Sequence, residues 1–263
     1  MSQPLLDLPP DVAGFAHAHR FGRLVAAYRP KHLGLWQLGG LLLFALGPLA
    51  FAVMFLAVYG GSAWPMVPLM LALAAPFWWM LLFSPNVNRR RDAQRVYVFE
   101  GGLVHADGTL TEYPWPAIMS VQQKIVRQYV NGVYTGTRYL YTVTRNDGRV
   151  LKLTQFFDGI AQLGQGISEQ VARVHLPHAV AAIQRGETVP FGDLGVHGSG
   201  LVSARHGLLP WAELEQVQVV QGYVRLRRAG KWLAWSNKPA ADIPNLYVFL
   251  TLADQLQQAA HRS

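Results

Sequence analysis

Residues 33–83 read LGLWQLGGLLLFALGPLAFAVMFLAVYGGSAWPMVPLMLALAAPFWWMLLF and contain no Asp, Glu, Lys, Arg or His. A helix rises about 1.5 Å per residue and the hydrocarbon core of a bilayer is about 30 Å thick, so about 20 residues make one crossing. The middle of the stretch, Tyr59–Pro65, holds Gly-Gly and Pro, which disfavour a continuous helix, together with Tyr and Trp, which prefer the headgroup level. We therefore predict two membrane-spanning helices, near 34–58 and 65–83.

Two other interpretations of this stretch fit less well. A buried helical hairpin in a soluble protein would need enough surrounding protein to cover it, and the rest of the sequence is patterned for other elements. A cleavable signal peptide has an apolar core of about 7–15 residues near the N-terminus, whereas this stretch begins late and is much longer. The spans also lack the intramembrane carboxylates, His or Arg that ion pathways usually need.

Positive charge is concentrated on both flanks of the apolar stretch. Residues 1–95 carry 8 Lys/Arg against 3 Asp/Glu, whereas residues 96–187 carry 8 against 7 and residues 188–263 carry 7 against 5. The flanking cations are Arg20, Arg23, Arg29 and Lys31 before the spans and Arg89, Arg90, Arg91 and Arg95 after them. Because positive residues stay on the cytoplasmic side, we predict a multi-pass protein of the inner (cytoplasmic) membrane with both termini in the cytoplasm. We do not expect a nucleic-acid partner, because a nucleic-acid-binding protein would concentrate its positive charge on a folded domain.

Residues 1–32 form a basic N-terminal segment before the spans at 33–84. Its stretch 11–29 mixes apolar and basic residues. It either lies on the membrane surface as an amphipathic helix or is a partly ordered lead-in.

The sequence after Arg95 changes to a strand pattern. Short Val/Tyr-rich runs alternate with turn dipeptides, of which Asn131-Gly132 is a strong hairpin signal. The other predicted turns are Gly101-Gly102, Asp107-Gly108 and Asn146-Asp147-Gly148. Two helices follow these strands: one after Asp158 as N-cap, weakened by Gly164 and Gly166 and kinked or broken at Pro177, and a closing one capped by Asp242.

The soluble part repeats itself. GGLVHADGTLTEYPWPAIMSV (101–121) matches GSGLVSARHGLLPWAELEQV (198–217), with a shared Gly-Leu-Val, a turn, Pro-Trp, an aliphatic residue and Val. Each copy continues through strands to one helix. An internal repeat of this kind is more specific than any single motif in the chain. We predict a first β domain at 95–186 and a second, shorter one at 187–263, in which Trp115 and Trp211 are core anchors.

Short antiparallel strands closed by one C-terminal helix are the layout of a pleckstrin-homology-like (PH-like) domain. With the lead-in GRLVAAYRP (22–30), the paired spans, RVYVFEGGLV (95–104) and PWPAI (114–118), the chain resembles a family of uncharacterised bacterial membrane proteins that have two N-terminal transmembrane helices followed by PH-like cytoplasmic domains. The resemblance covers nearly the whole chain in layout. It implies an α+β membrane protein with a transmembrane hairpin and two tandem PH-like antiparallel β domains, and it supplies no catalytic residues.

Catalytic and metal-binding motifs are weak or absent from the sequence. The close histidine pairs are His17/His19 and His175/His178, and the second straddles Pro177 without a carboxylate at ligand spacing. No phosphate-binding glycine loop occurs, and the carboxylates are scattered, with Glu213 and Glu215 expected to face water. There is no cysteine, which excludes thiolate catalysis and Cys-ligated metal. We predict a non-enzyme without catalytic residues, metal or cofactor.

Basic residues are the remaining candidates for a binding site. Arg225, Arg227, Arg228 and Lys231 crowd the hairpin RLRRAGKW (225–232), which either forms a basic rim for phosphorylated headgroups or is a solvated strand face. Lys124, Arg127 and Arg138 form a looser counterpart in the first repeat. Arg89, Arg90, Arg91 and Arg95 are juxtamembrane candidates for contact with anionic lipid.

These features predict a membrane-anchored interaction or scaffold module. It would be integral to the lipid bilayer and would bind a protein partner, an anionic lipid headgroup or another copy of itself. An accessory subunit of a transport, secretion or envelope-stress complex is the alternative. A membrane enzyme would need a polar cluster at the cytoplasmic ends of the spans, where the sequence provides only arginines.

Overall fold

The computed structural model describes residues 8–31, 35–83 and 94–262. It divides into two compact units. One, residues 29–96 with 106–109, contains two long apolar helices. The other contains the N-terminal arm and most of the β structure, with its two packed helices.

The N-terminal arm holds a short helix and a strand. Helix α1 is Pro10–Ala18, and strand β1 is Leu24–Tyr28. Val12, Ala16 and Phe21 are buried, so this arm is packed into its unit. Neither interpretation of the segment 11–29, a surface helix or a partly ordered lead-in, anticipated a strand here.

The apolar stretch folds into two helices at the predicted positions. Helix α2 is Leu35–Tyr59 and helix α3 is Met66–Phe83, joined by a 3-10 turn at Gly60–Ala63. Gly39–Ser62 and Met66–Phe83 are long and apolar enough to cross a membrane, and only 11% and 6% of these windows is buried. The core helix of a soluble protein would be mostly covered. The helices contact each other through stacked rings of Phe44 and Phe77 and through the Trp78 indole, which donates to the Ala45 carbonyl at 3.1 Å.

The first β domain has two sheets and one helix. Its elements are β2 (Arg95–Phe99), β3 (Gly102–Ala106), β4 (Leu110–Pro114), β5 (Ile118–Val130), β6 (Val133–Arg145), β7 (Val150–Thr154) and α4 (Ile160–Gln184). One sheet has the order β1-β2-β3-β4 and the other β5-β6-β7. The four predicted turns are confirmed, and Asn131-Gly132, with both φ angles positive, closes the β5–β6 hairpin in two residues.

The second β domain repeats this plan in shorter form. Its elements are β8 (Val189–Phe191), β9 (Leu194–His197), β10 (Gly200–Ser203), β11 (Gly207–Pro210), β12 (Leu214–Val220), β13 (Tyr223–Arg228), β14 (Ala234–Pro239) and α5 (Leu246–Arg262). Its sheets are again one of four strands, β8 to β11, and one of three, β12 to β14. Strand β1 is therefore the counterpart of β8. It completes the sheet of the first domain, although it precedes both apolar helices in the sequence and lies outside the predicted range 95–186.

The repeated Gly-Leu-Val and Pro-Trp residues have a shared structural cause. A side chain at Gly102 would lie 2.9 Å from the Pro114 backbone, and one at Gly200 equally close to the Pro210 backbone, so the strands approach too closely for a Cβ. The buried Trp115 indole donates to the Glu100 carbonyl at 2.9 Å, and Trp211 donates to the Gly198 carbonyl at 3.1 Å. Each tryptophan thereby closes the turn before the glycine. Both are core anchors, as predicted.

Helix α4 is shared by the two β domains. Its first half buries Ile160, Leu163 and Ile167, whereas Ala179 and Ile183 in its second half belong to the hydrophobic core of the second domain. The helix runs through Pro177 without a break. We predicted that Pro177 would kink or break this helix, and the predicted break is wrong because the helix is continuous.

Both predicted N-caps are also wrong. The residue before α4 is Gly159 in the left-handed region, with no side-chain cap, so Asp158 does not cap this helix. Asp242 ends a separate 3-10 turn, Ala240–Asp242, ahead of α5. The residue directly before α5 is Asn245, whose φ is +52°. Asn245 ties the second domain to the edge of β5: Val121 N–H donates to its Oδ1 and its Nδ2 donates to the Met119 carbonyl, both at 2.9 Å.

Candidate interaction surfaces

The histidines and carboxylates are dispersed. Across residues 8–31, 35–83 and 94–262, the structure holds no group of three or more His, Asp or Glu that could bind a metal. The ring Nδ1 of His19 lies 2.8 Å from the Phe15 carbonyl, and Nε2 of His175 lies 2.7 Å from the Ile118 carbonyl. These two rings therefore have structural hydrogen-bond partners.

A cluster of ion pairs around Arg145 holds the β6–β7 turn against strand β4. Arg145 donates to Glu112 Oε1 at 2.8 Å and to the Glu112 carbonyl at 2.7 Å, and it is paired with Asp147 in the β6–β7 turn. The hydrogen bond from Arg145 lowers the pKa of Asp147. Burial acts to raise the pKa of Glu112, but hydrogen bonds from its own backbone and from Arg145 outweigh it and lower the pKa. With its charge matched on both sides, Arg145 is a structural residue.

The predicted juxtamembrane cluster is only partly covered by the structure. Arg89, Arg90 and Arg91 lie outside the described residues. Arg95 is the first residue of β2 and is exposed. Its position in β2 shows that the chain re-enters the first β domain at the last cation of this basic run.

The predicted basic rim on the second domain is half neutralised. Register places Leu214 of β12 opposite Arg228, and Gln216 opposite Arg227. As a result Glu213 pairs with Arg228 at 2.6 Å and Glu215 with Arg227 at 3.5 Å. The two carboxylates expected to face water are thus ion-paired.

The other two rim residues are exposed, and no carboxylate among the described residues forms an ion pair with them. Arg225 points outward from β13, and Lys231 lies in the β13–β14 loop. Next to Lys231 the loop exposes Trp232 at 86% and Leu233 at 62%. The rim therefore offers two free cations and an apolar loop.

A larger exposed feature is the β5–β6 ribbon, which we define as residues 124–140. Strand β7 pairs only with Leu140–Thr144, so the ribbon extends beyond the sheet as two strands. Its tip exposes Tyr129 (58%), Val130 (59%), Val133 (67%) and Tyr134 (55%).

One face of the ribbon is aromatic. Tyr129 and Tyr134 meet edge to face with ring centroids 5.8 Å apart, and the Tyr134 hydroxyl lies 2.7 Å from Thr137 Oγ1. These residues, with Ile125, Arg127 and Tyr139, line an open groove of about 440 Å³. Further along the same strand, Tyr139 stacks on Tyr141, and burial raises the pKa of Tyr141 to about 12.

The ribbon's cations are evident in the sequence, but the exposure of its tip is not. Asn131-Gly132 predicted the hairpin, yet a strand of alternating Val and Tyr is expected to bury one face. The feature that could have indicated the exposed tip is the length of the two strands. The strands on either side of Asn131-Gly132 have 13 residues each, whereas those of the second-domain hairpin have 7 and 6.

Comparison with known proteins places the chain in a family. A family model matches residues 1–262, and the chain belongs to that family, a family of unknown function (DUF6585). No curated protein and no solved structure matches the chain. The match agrees with the resemblance to an uncharacterised family.

Proposed function

We propose that this member of the DUF6585 family is a membrane-anchored, non-enzymatic interaction module, in which two PH-like domains are held at the cytoplasmic face of the bacterial inner membrane. Helices α2 and α3 are the anchor. The domains bind a partner at the membrane surface, where anchoring raises the effective concentration of weak contacts.

One observation carries this proposal: the apolar hairpin is inserted within a folded domain. The chain leaves the first β domain after β1 and returns to it at β2, its neighbour in the same sheet. Both flanks of the hairpin must therefore lie on the same side of any membrane it crosses, which an even number of crossings satisfies. The flanking arginines and the positive-inside rule make that side the cytoplasm.

The PH-like assignment is supported by the strand plan. Each domain has a four-stranded sheet and a three-stranded sheet, and each is followed by one helix whose apolar face is buried. This is the layout expected from the resemblance. The shared helix α4 supports a further point, that the two domains act as one body rather than as independent modules on a linker.

Fractionation and reporter fusions test this proposal. The full-length chain is expected to remain in the membrane pellet after a carbonate wash, because two spans are embedded. A fluorescent reporter at the C-terminus should be bright, and a phosphatase that works only outside the cytoplasm should be inactive there. Release by carbonate, or an active phosphatase, would refute the anchor or its orientation.

Gentle detergent extraction separates the module from the accessory-subunit alternative. A module should elute as the chain alone or as a small homo-oligomer. Co-elution with a larger membrane assembly at fixed stoichiometry would instead favour a subunit of a transport, secretion or envelope-stress complex.

A further inference from the structure

We propose that the tip of the β5–β6 ribbon inserts into the anionic surface of the bilayer that anchors the chain, an inference that rests on the proposed function. The ribbon tip is the segment 129–134. It is a hairpin turn flanked on each strand by one tyrosine and one valine, all more than half exposed. A protein rarely leaves such a cluster in water without a binding role.

The distribution of apolar side chains favours a bilayer over a protein partner. Tyr129 and Tyr134 form a cross-strand pair on one face, whereas the adjacent pair, Val130 and Val133, alternates to the other. A folded partner would cover one face of the ribbon and leave the other in water. A fluid bilayer surrounds an inserted tip on all sides, and tyrosine is enriched at the membrane–water interface.

The charges of the ribbon complement anionic lipid. Residues 113–146 contain no Asp or Glu. The ribbon's cations, Lys124, Arg127 and Arg138, are all exposed. Arg127 shares the tyrosine face, and Lys124 and Arg138 alternate to the opposite one. A second copy that docked ribbon to ribbon would bring the same cations together without compensating carboxylates.

The spacing between tip and cations matches the headgroup layer. Arg127 is three residues from Val130, which is about 10 Å along a strand. An apolar segment buried about 5–10 Å into the interface would therefore place this guanidinium at the phosphates. Arg138 and Lys124 lie farther back, at about 17 and 20 Å, where the surface potential still attracts them weakly.

The competing surface is the basic rim, whose loop exposes Trp232 and Leu233. There the net charge is halved by the ion pairs of Arg227 and Arg228. The ribbon carries three cations with no acidic residue near them in sequence. It is therefore the better match to an anionic surface.

A single probe tests insertion directly. Because the chain contains no cysteine, Val133→Cys gives one labelling site for an environment-sensitive fluorophore in the full-length protein. The protein is reconstituted into vesicles of phosphatidylcholine, with or without phosphatidylglycerol, that contain nitroxide-labelled lipid. We expect a blue shift and strong quenching in the anionic vesicles and little of either in phosphatidylcholine alone. The exposed turn residue Ala204, as Ala204→Cys, is the control and should remain unquenched.

Removal of charge provides the matched comparison. In the variant Lys124→Gln/Arg127→Gln/Arg138→Gln, the ratio of inserted to free ribbon should fall about fivefold for the loss of Arg127 at the phosphates and by a smaller factor for each of the two more distant cations. A control variant loses the same net charge at three exposed cations elsewhere: Lys152→Gln, Arg173→Gln and Arg205→Gln. It should keep the quenching. Equal unfolding temperatures for the two variants confirm that both are folded.

The outcomes separate this inference from the proposed function. Loss of the chain from carbonate-washed membranes refutes the anchor, and the inference with it. Retention of the chain with an unquenched probe at position 133 refutes ribbon insertion alone. Quenching that occurs only when nitroxide lipid is in a second, added vesicle population would overturn the inference in favour of binding to a second membrane. Self-quenching of the fluorophore between copies would overturn it in favour of binding to a second copy.

Discussion

The same substitution, glycine to alanine, is expected to have opposite effects on stability at two positions in helix α4. Gly164 and Gly166 both weaken the helix, since glycine is about 1 kcal/mol less favourable than alanine in a helix interior. At Gly166 an added Cβ would meet nothing within 4 Å. At Gly164 it would fall well inside van der Waals contact with the ring of Tyr141. That ring is 3% exposed and has little room to move.

The two changes therefore differ in sign. Gly166→Ala should gain about 1 kcal/mol from helix propensity. Gly164→Ala gains the same but forces the Tyr141 ring aside, at about 3 kcal/mol, near the upper end of the usual overpacking cost. Its net loss is about 2 kcal/mol. For a folded unit of about 150–250 residues, each kcal/mol shifts the unfolding temperature by about 2–4 °C.

Thermal unfolding of the full-length protein in detergent measures both effects. We expect Gly166→Ala to unfold about 2–4 °C higher and Gly164→Ala about 4–8 °C lower than the parent. In a Tyr141→Leu background the penalty at Gly164 should disappear, because the ring is gone. If Gly164→Ala matched or exceeded the parent, the tight packing of Tyr141 on α4 would be refuted.

Two further predictions concern polar contacts, one between the two β domains and one within the first. Asn245→Ala should lower the free energy of unfolding by about 2–3 kcal/mol, because it removes two hydrogen bonds to β5 and leaves alanine in a left-handed conformation. Hydrogen exchange at the Val121 amide should accelerate. The control Asn245→Gly should lose less stability, because glycine adopts that backbone conformation without strain. Arg145→Gln should destabilise the protein at neutral pH, and the gap from the parent should close as pH falls below about 4. The sign follows because Arg145 lowers the pKa of Asp147 and Glu112, so their stabilisation is present above their unfolded-state values and is lost as they protonate. A gap in unfolding temperature that is independent of pH would contradict this origin.

Features with a strong local signal were predictable from the sequence. The apolar helices follow from a long run without charge, and the hairpin turn at Asn131-Gly132 follows from residues that tolerate positive φ. The repeat was visible because Gly102 and Trp115, and their counterparts Gly200 and Trp211, are fixed by a close backbone approach and a turn-closing hydrogen bond. In each case the cause lies within about 15 residues of its effect.

Features that depend on distant partners were not predictable. Strand β1, a five-residue segment, becomes a strand because β2 pairs with it from beyond both apolar helices. The neutralisation of Arg227 and Arg228 depends on the register of β12 against β13, which sequence alternation alone does not determine. The capping role expected of Asp242 failed because the chain makes a separate turn before α5. For the candidate surfaces, the sequence identified the cations, and the structure determined which of them remain unpaired.

The position of β1 has a consequence for biosynthesis. The ribosome synthesises β1 before its partner β2, and β2 emerges only after the whole apolar hairpin has been translated. The four-stranded sheet therefore cannot close until both apolar helices and β2 have been synthesised. Until then β1 presents an unpaired strand edge, which is a site for proteolysis or for pairing with another chain.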